Sequence, residues 1–264
     1  MNKRYSGSKY NLNEVDLVFV VDTTGSMGPF IDAARLQMMS MLESLVTETD
    51  ISMDLRVAIV EYRDHPPQED TFITKVHRFS GSLSHAQQTI DNLKPNGGGD
   101  SPEAVFDGLQ TACDQLEWRS HARRLAILVG DAPPHGTGER GDFFPDGCPC
   151  GLTLHQTTAI VEDNNVILFA LGLTRSVEES FGQLAILTGG EYFSARQVDA
   201  AILSIKNVLL VEFNDLAFDH QVLDHCLNHV DWTIDALCLV LDNPRGRVSA
   251  SLSRLGRRGL LTGT

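Results

Sequence analysis

The sequence contains no apolar run near the roughly 18 residues that a membrane-spanning helix needs. Its first residues, MNKRYSGSKYNLNEVD, lack the apolar stretch of a secretion signal. Cysteine is scarce: Cys113, Cys148, Cys150, Cys226 and Cys238 are an odd set of five in 264 residues. Reduced thiols and a cytoplasmic setting are therefore expected, rather than a disulfide framework. With 22 Gly and 10 Pro the chain is neither collagen-like nor low-complexity. Positive charge is also in short supply, 21 Lys and Arg against 35 Asp and Glu, giving a net charge of −14 and a pI near 4.9. Such a field repels phosphate, which argues against nucleic acid or an anionic membrane as the main partner and favours a cation or a basic protein surface. No Gly-x-x-x-x-Gly-Lys occurs, so the GGGD run is not a phosphate loop of that type.

What the chain does have is apolar content, 42% of residues, and a length that fits one large domain or one domain with an appendage. Residues 1–13 carry +3 and residues 243–264 carry +5 with no acid in either, so residues 14–242 hold −22. The basic ends read as a flexible N-terminal segment and a flexible tail. Between them, short apolar runs alternate with helical spacing. Val15–Val21 is almost wholly apolar, as in a parallel strand buried on both faces. The helix after it has Pro29 near its start and a stripe of Ile31, Ala34, Met38, Leu42 and Leu45. Further strands are predicted at Leu55–Tyr62, Phe72–His77, Leu125–Val129, Val166–Leu171 and Glu191–Phe193, with helices near 84–93, 102–117, 152–163, 177–187 and from 197 onward. This alternation predicts an α/β fold, a three-layer sandwich around a doubly wound, mostly parallel sheet, with a ligand face at the carboxyl ends of the strands.

Leu223, Leu227, Val230, Ile234, Leu237 and Leu241 then alternate four- and three-residue steps, a heptad seam of under three heptads. A C-terminal helix over 217–242 is expected, packed on its own domain or, as the sharper alternative, used for self-association or a partner helix through 223–241.

Three loops carry acids at strand ends or ahead of helices. Asp22-Thr23-Thr24-Gly25-Ser26 leaves the first strand, Gly97-Gly98-Gly99-Asp100-Ser101-Pro102-Glu103 precedes the helix AVFDGL, and Gly130-Asp131-Ala132-Pro133-Pro134-His135 follows LAILV. A lone Asp after a strand is usually a helix N-cap, but three such loops in order supply the carboxylates and hydroxyls that a hard divalent cation prefers.

The run DLVFVVDTTGSM resembles the opening of a von Willebrand factor type A domain. The likeness covers about residues 14–216 and implies that fold, with a Mg²⁺ site (Mn²⁺ or Ca²⁺ as variants) on Asp22, Thr24, Ser26 and Asp131. The second loop, GGGDSPEAVFDGL, is similar to the integrin β-subunit version, which implies Glu103 as a further ligand. That version also implies a neighbouring Ca²⁺ site on Asp64, Asp100 and the Pro102 carbonyl, although the asparagine of its pattern is Gly98 here. The resemblance points to a non-enzymatic adhesion or scaffold module in which a partner's Asp or Glu completes the coordination of the ion.

The alternative is a metal-dependent hydrolase or phosphatase on the same acids. Phosphatases that begin with an acid after the first strand need a second carboxylate two residues on, where this chain has Thr24, and the first glycine of a Gly-x-Ser-x-Gly elbow around Ser26 is also Thr24. PDGCPCGLTLHQ allows two readings: a zinc site on Cys148 and Cys150 with His135 and His155, or a surface loop with two free thiols. The single residue between the cysteines favours the latter. Phe143-Phe144 in the same loop either offers an apolar contact or pins the loop to the domain.

Overall fold

The structure, a computed structural model, describes residues 11–48, 53–195, 197–229 and 232–261. Its spine is β1 (Glu14–Asp22), in which every residue after Glu14 is buried. β2 (Asp54–Tyr62) and β4 (Arg123–Gly130) flank it, both parallel. The sheet order is β3-β2-β1-β4-β5-β6. β3 (Thr74–Ser80) is an antiparallel edge, while β5 (Ile167–Gly172) and β6 (Tyr192–Ser194) continue the parallel run. The sheet grows away from β1 in both directions, so the order reverses between β1 and β4. Asp22 and Gly130, at the carboxyl ends of those strands, border the crevice that such a reversal creates.

The two-residue period of β1 feeds two cores. Val15, Leu17, Phe19 and Val21 pack against α1 (Gly28–Glu48), α2 (Leu83–Asn92) and α6 (Val198–Asn228), meeting Ile31, Ala34, Met38 and Leu42 on α1. Val18 and Val20 face α3 (Val105–Asp114), α4 (Leu154–Asp163) and α5 (Glu178–Leu187) through Leu109, Val161 and Phe181. This is the three-layer sandwich expected. Leu45 of the predicted α1 stripe lies outside the described side chains.

The C-terminal region departs from expectation. One helix does not span 217–242: α6 runs through residue 216 to Asn228, and α7 (Ile234–Val240) starts afresh where the Thr233 side chain accepts from Ala236 N at 3.2 Å. The heptad seam therefore breaks, and its Val230 lies outside the described residues. Leu223 and Leu237 are buried with Val248, Leu252 and Leu255 of α8 (Arg245–Arg257), so among the described residues the chain itself covers part of this seam. The tail expected to be flexible over 243–264 is for the most part this helix. Arg254 is buried, with Nε bonding both carboxylate oxygens of Asp219 at 3.0 and 3.1 Å and Nη1 meeting Asp215 at 2.8 Å. Arg258 donates to the carbonyls of His121 and Leu12 at 2.8 and 2.9 Å. Arg254 reads as solvated charge in the sequence because its acidic partners, Asp215 and Asp219, lie on another helix. Of the N-terminal segment, residues 1–10 lie outside the described residues, whereas Leu12 packs against the α6–α8 cluster.

An Asp219→Ala variant leaves the buried Arg254 guanidinium with Asp215 as its remaining acidic partner, so a loss of up to about 3–5 kcal/mol is expected. Urea melts and trypsin cleavage at Arg254 and Arg257 report it, and wild-type resistance in the variant would return α8 to the status of a loose tail.

Candidate metal centre

The three acidic loops meet over the crevice between β1 and β4. Thr23 N donates to Tyr62 O at 3.0 Å and Gly25 N to Gly97 O at 3.1 Å, which ties the first loop to β2 and to the second loop. Glu103 forms a parallel bridge with Pro134, its N donating to Pro133 O at 2.9 Å, so the second loop is stitched to the third. Gly98 has φ 83° and a Cβ there would lie 3.1 Å from Thr24 Cβ and 3.0 Å from Glu103 Oε1. The glycine standing where the integrin-type pattern has asparagine thus lets the first two loops close on each other.

Asp22 is fully buried. Its Oδ1 accepts from Thr24 N at 2.7 Å and Thr24 Oγ1 at 2.6 Å, and Thr24 Oγ1 lies 3.3 Å from the exposed Ser26 Oγ. Asp22 does not cap the helix that follows: the N-cap position is Thr24, without a side-chain cap bond. Asp22 Oδ2 and Glu103 Oε2 are buried oxygens with no hydrogen-bond partner. Burial, opposed by the Thr24 hydrogen bonds and reinforced by the charge of Asp131, pushes the Asp22 carboxyl up to about 7. Burial, then the charges of Asp22, Asp64, Asp100 and Asp131, pushes Glu103 up to about 11. The buried Tyr62 phenol is raised by desolvation and by Asp22, Glu103 and Asp131 together. These mutual fields mark one acidic spot shared by the three predicted carboxylates. Three carboxylates and two hydroxyls, with two buried oxygens unused, fit a hard divalent cation.

The residues predicted for a second ion lie beside this spot. Asp64 Oδ1 accepts from His65 N at 2.6 Å and lies 2.7 Å from His135 Nε2, while Asp64 Oδ2 and Asp100 Oδ1 are buried without partners. Asp100 Oδ2 takes Phe143 N at 2.7 Å. The other His135 nitrogen faces Asp142 Oδ1 at 2.8 Å. Burial by itself would lower the His135 pKa, but Asp64 and Asp142 outweigh it and raise it.

Sequence reasoning missed Asp142 and Arg63. Asp142 sits in a glycine-rich loop with nothing to single it out. Arg63 is a buried cation that bonds Thr71 Oγ1 at 2.9 Å and Lys94 O at 2.7 Å and lowers the Asp22 pKa. The two roles weighed for Phe143-Phe144 are divided between them: Phe144 packs edge-on to His135 at 5.0 Å between ring centroids, while Phe143 is 55% exposed.

The sequence model of the von Willebrand factor type A domain matches residues 16–207. The chain belongs to that family. Among curated relatives, alpha-protein kinase vwkA of Dictyostelium discoideum is 32% identical over 154 residues, 58% of this chain and 24% of the kinase. The ariadne-like RING finger protein R811 of Acanthamoeba polyphaga mimivirus is 33% identical over 131 residues, 49% of this chain and 12% of that protein. The chain thus spans a quarter or less of these relatives, which are larger proteins. Among solved structures, the SpaC pilus adhesin of Lactobacillus rhamnosus GG superposes with a TM-score of 0.56 at 18% identity, covering 78% of this chain and 30% of the adhesin. Proximal thread matrix protein 1 of the mussel byssus, solved with zinc in its MIDAS motif, gives 0.55 at 15% identity, covering 76% of this chain and 46% of its own. At these identities the structural likeness establishes the type A fold.

Proposed function

We propose that this type A domain is a metal-dependent protein-binding module. Asp22, Thr24, Ser26, Glu103 and Asp131 hold a divalent cation, Mg²⁺, and a carboxylate from an Asp or Glu of the partner completes its coordination. The observation that carries this reading is the pair of buried, partnerless oxygens, Asp22 Oδ2 and Glu103 Oε2, on loops stitched together over the sheet crevice. Unpaired buried carboxylates are costly, and a cation gives them a counter-charge. Acidic residues around the site would repel an acidic ligand in the absence of the ion, which makes partner binding conditional on it. The exposed Phe143, whose backbone bonds Asp100, supplies an apolar contact at the rim. The same reading places a second ion, Ca²⁺, on Asp64 Oδ2, Asp100 Oδ1 and the Pro102 carbonyl, while His135 keeps the other Asp64 oxygen. The cytoplasmic setting rests on five free cysteines, and the adhesin and matrix proteins that share the fold support a binding role over catalysis.

The test is affinity capture from lysate by the full chain in Mg²⁺, in EDTA and with Mg²⁺ restored, beside Asp22→Ala. Partners captured in Mg²⁺ are expected to be lost in EDTA, to return with the ion and to be absent with the variant. Capture that survives both EDTA and Asp22→Ala would remove the metal from the binding step. Turnover of phosphate or carboxyl esters by wild-type protein but not the variant would move the site to the hydrolase class.

A further inference from the structure

The long loop between β4 and α4, residues 131–153, has no regular structure of its own, and connections beyond about 15 residues without any usually carry function. It ends on the Cys-Pro-Cys run. The structure places both sulfurs beside two side chains from elsewhere in the fold. His65, buried just after β2, has Nε2 at 3.1 Å from Asp107 Oδ2 and 3.2 Å from Cys148 Sγ. Cys148 Sγ is 3.2 Å from Asp107 Oδ2 and 3.0 Å from Cys150 Sγ. One donor atom of each of His65, Asp107, Cys148 and Cys150 lies within 4.8 Å of all the others.

Hydrogen bonding alone explains this arrangement poorly. Thiols are weak donors and weak acceptors, yet two of them converge with an imidazole and a carboxylate on a point that is mostly shielded from water. Zinc wants this set: thiolate sulfur at about 2.3 Å, imidazole nitrogen and carboxylate oxygen at about 2.0–2.2 Å, in a tetrahedron. Neighbouring ligand atoms on such a tetrahedron are about 3.3–3.8 Å apart, so the four pairs that stand at 3.0–3.2 Å have to open by less than about 1 Å. Leu152 N points at Cys150 Sγ from 3.4 Å, the backbone support that a metal thiolate uses.

We propose that His65 Nε2, Asp107 Oδ2, Cys148 Sγ and Cys150 Sγ form a structural zinc site, separate from the acidic centre and sharing no ligand with it. Zinc loading takes both cysteines as thiolates and releases their protons to solvent. The zinc reading weighed on sequence paired the same cysteines with His135 and His155. In the fold His135 is held between Asp64 and Asp142, and His155 is exposed on α4. The ion ties three segments together: the β2–β3 loop through His65, α3 through Asp107, and the β4–α4 loop through the cysteines. That tie holds Asp142, Phe143 and Phe144 in place beside Asp100 and His135, with Phe144 also packed edge-on to His65 at 6.0 Å.

The full chain, expressed with zinc, is expected to retain one tightly held zinc per chain after exhaustive dialysis. Asp22→Ala keeps it and the Cys148→Ser, Cys150→Ser double variant loses it. Wild-type protein reloaded with Co²⁺ is expected to show thiolate-to-cobalt charge transfer and the intense visible bands of tetrahedral cobalt, a readout that requires no variant to fold. Cobalt-loaded wild type without a thiolate band overturns the proposal, as does zinc that persists in the double variant or leaves with Asp22→Ala. Because the acidic centre contains no sulfur, partner capture that fails with Asp22→Ala while the cobalt–thiolate band remains separates the two sites.

Discussion

Transferred into Mg²⁺-free buffer, the protein should lose stability as pH rises, and Mg²⁺ should abolish most of that loss. The sign follows from Asp22 and Glu103. Their ordinary values are 3.8 and 4.5, and in the fold they are pushed up to about 7 and about 11. Between its unfolded and folded values each group is protonated in the native chain and ionised in the unfolded one. The native state then binds more protons, so raising the pH favours unfolding by up to about 1.4 kcal/mol per pH unit for each group. The Asp22 share accrues from about pH 4 to 7 and the Glu103 share continues above it. Carboxylates held low by their partners, such as Glu61, Asp107 and Asp142, contribute stability that is lost only on acidification, below this window. His135 adds a loss of the same sign above about 6.5 as its imidazolium deprotonates. The reading is therefore the difference between Mg²⁺-free and Mg²⁺ curves, not the slope of either. Urea midpoints between about pH 5 and pH 8 should diverge by a few kcal/mol at the alkaline end. Curves that run parallel throughout would mean that Mg²⁺ does not neutralise these two carboxylates.

The sheet, its order of helices and the three acidic loops were legible because their signals are local. Apart from Asp16, residues 15–21 are apolar on both faces since two parallel strands and two helical layers enclose them, and that enclosure leaves the same mark in any sequence. The loops of Asp22, Glu103 and Asp131 could be placed because each follows a strand or leads a helix, while the choice of ligands rested on the resemblance to the type A family, and for Glu103 on its integrin β-subunit version. Pairings between distant segments left no such mark. Arg254 and Arg258 sit in an acid-free stretch and look solvated, yet Asp219 pairs the first and the carbonyls of His121 and Leu12 accept from the second. The heptad seam was real as a pattern of burial, but its partner is α8 of the same chain. Asp107 looked like any first-turn acid of a helix, and only the fold brings it to His65 and the two cysteines.

Replacing Glu103 by Gln should strengthen the Mg²⁺-free protein and disable the site. Glu103 is almost fully buried, and its Oε2 has no partner. Near pH 8 the Mg²⁺-free wild type keeps this carboxyl protonated against a solution that would ionise it, a linkage cost that Gln does not carry. The variant is expected to be more stable than wild type by about 2–5 kcal/mol near pH 8, with the gain shrinking toward pH 5 as the Glu103 proton becomes cheap to hold. In Mg²⁺ the order inverts: wild type gains the binding free energy of the ion, while the variant, one carboxylate short, gains little and captures no partner. A substitution that merely damaged packing would lower stability at every pH and in both buffers. Pairing pH-dependent melts with Mg²⁺ calorimetry separates the outcomes, and a variant weaker than wild type in Mg²⁺-free buffer near pH 8 would refute the account of Glu103 as a strained ligand. The expected inversion is the trade that binding sites make generally: the carboxyl whose burial destabilises the empty fold is the one that recognises the ion.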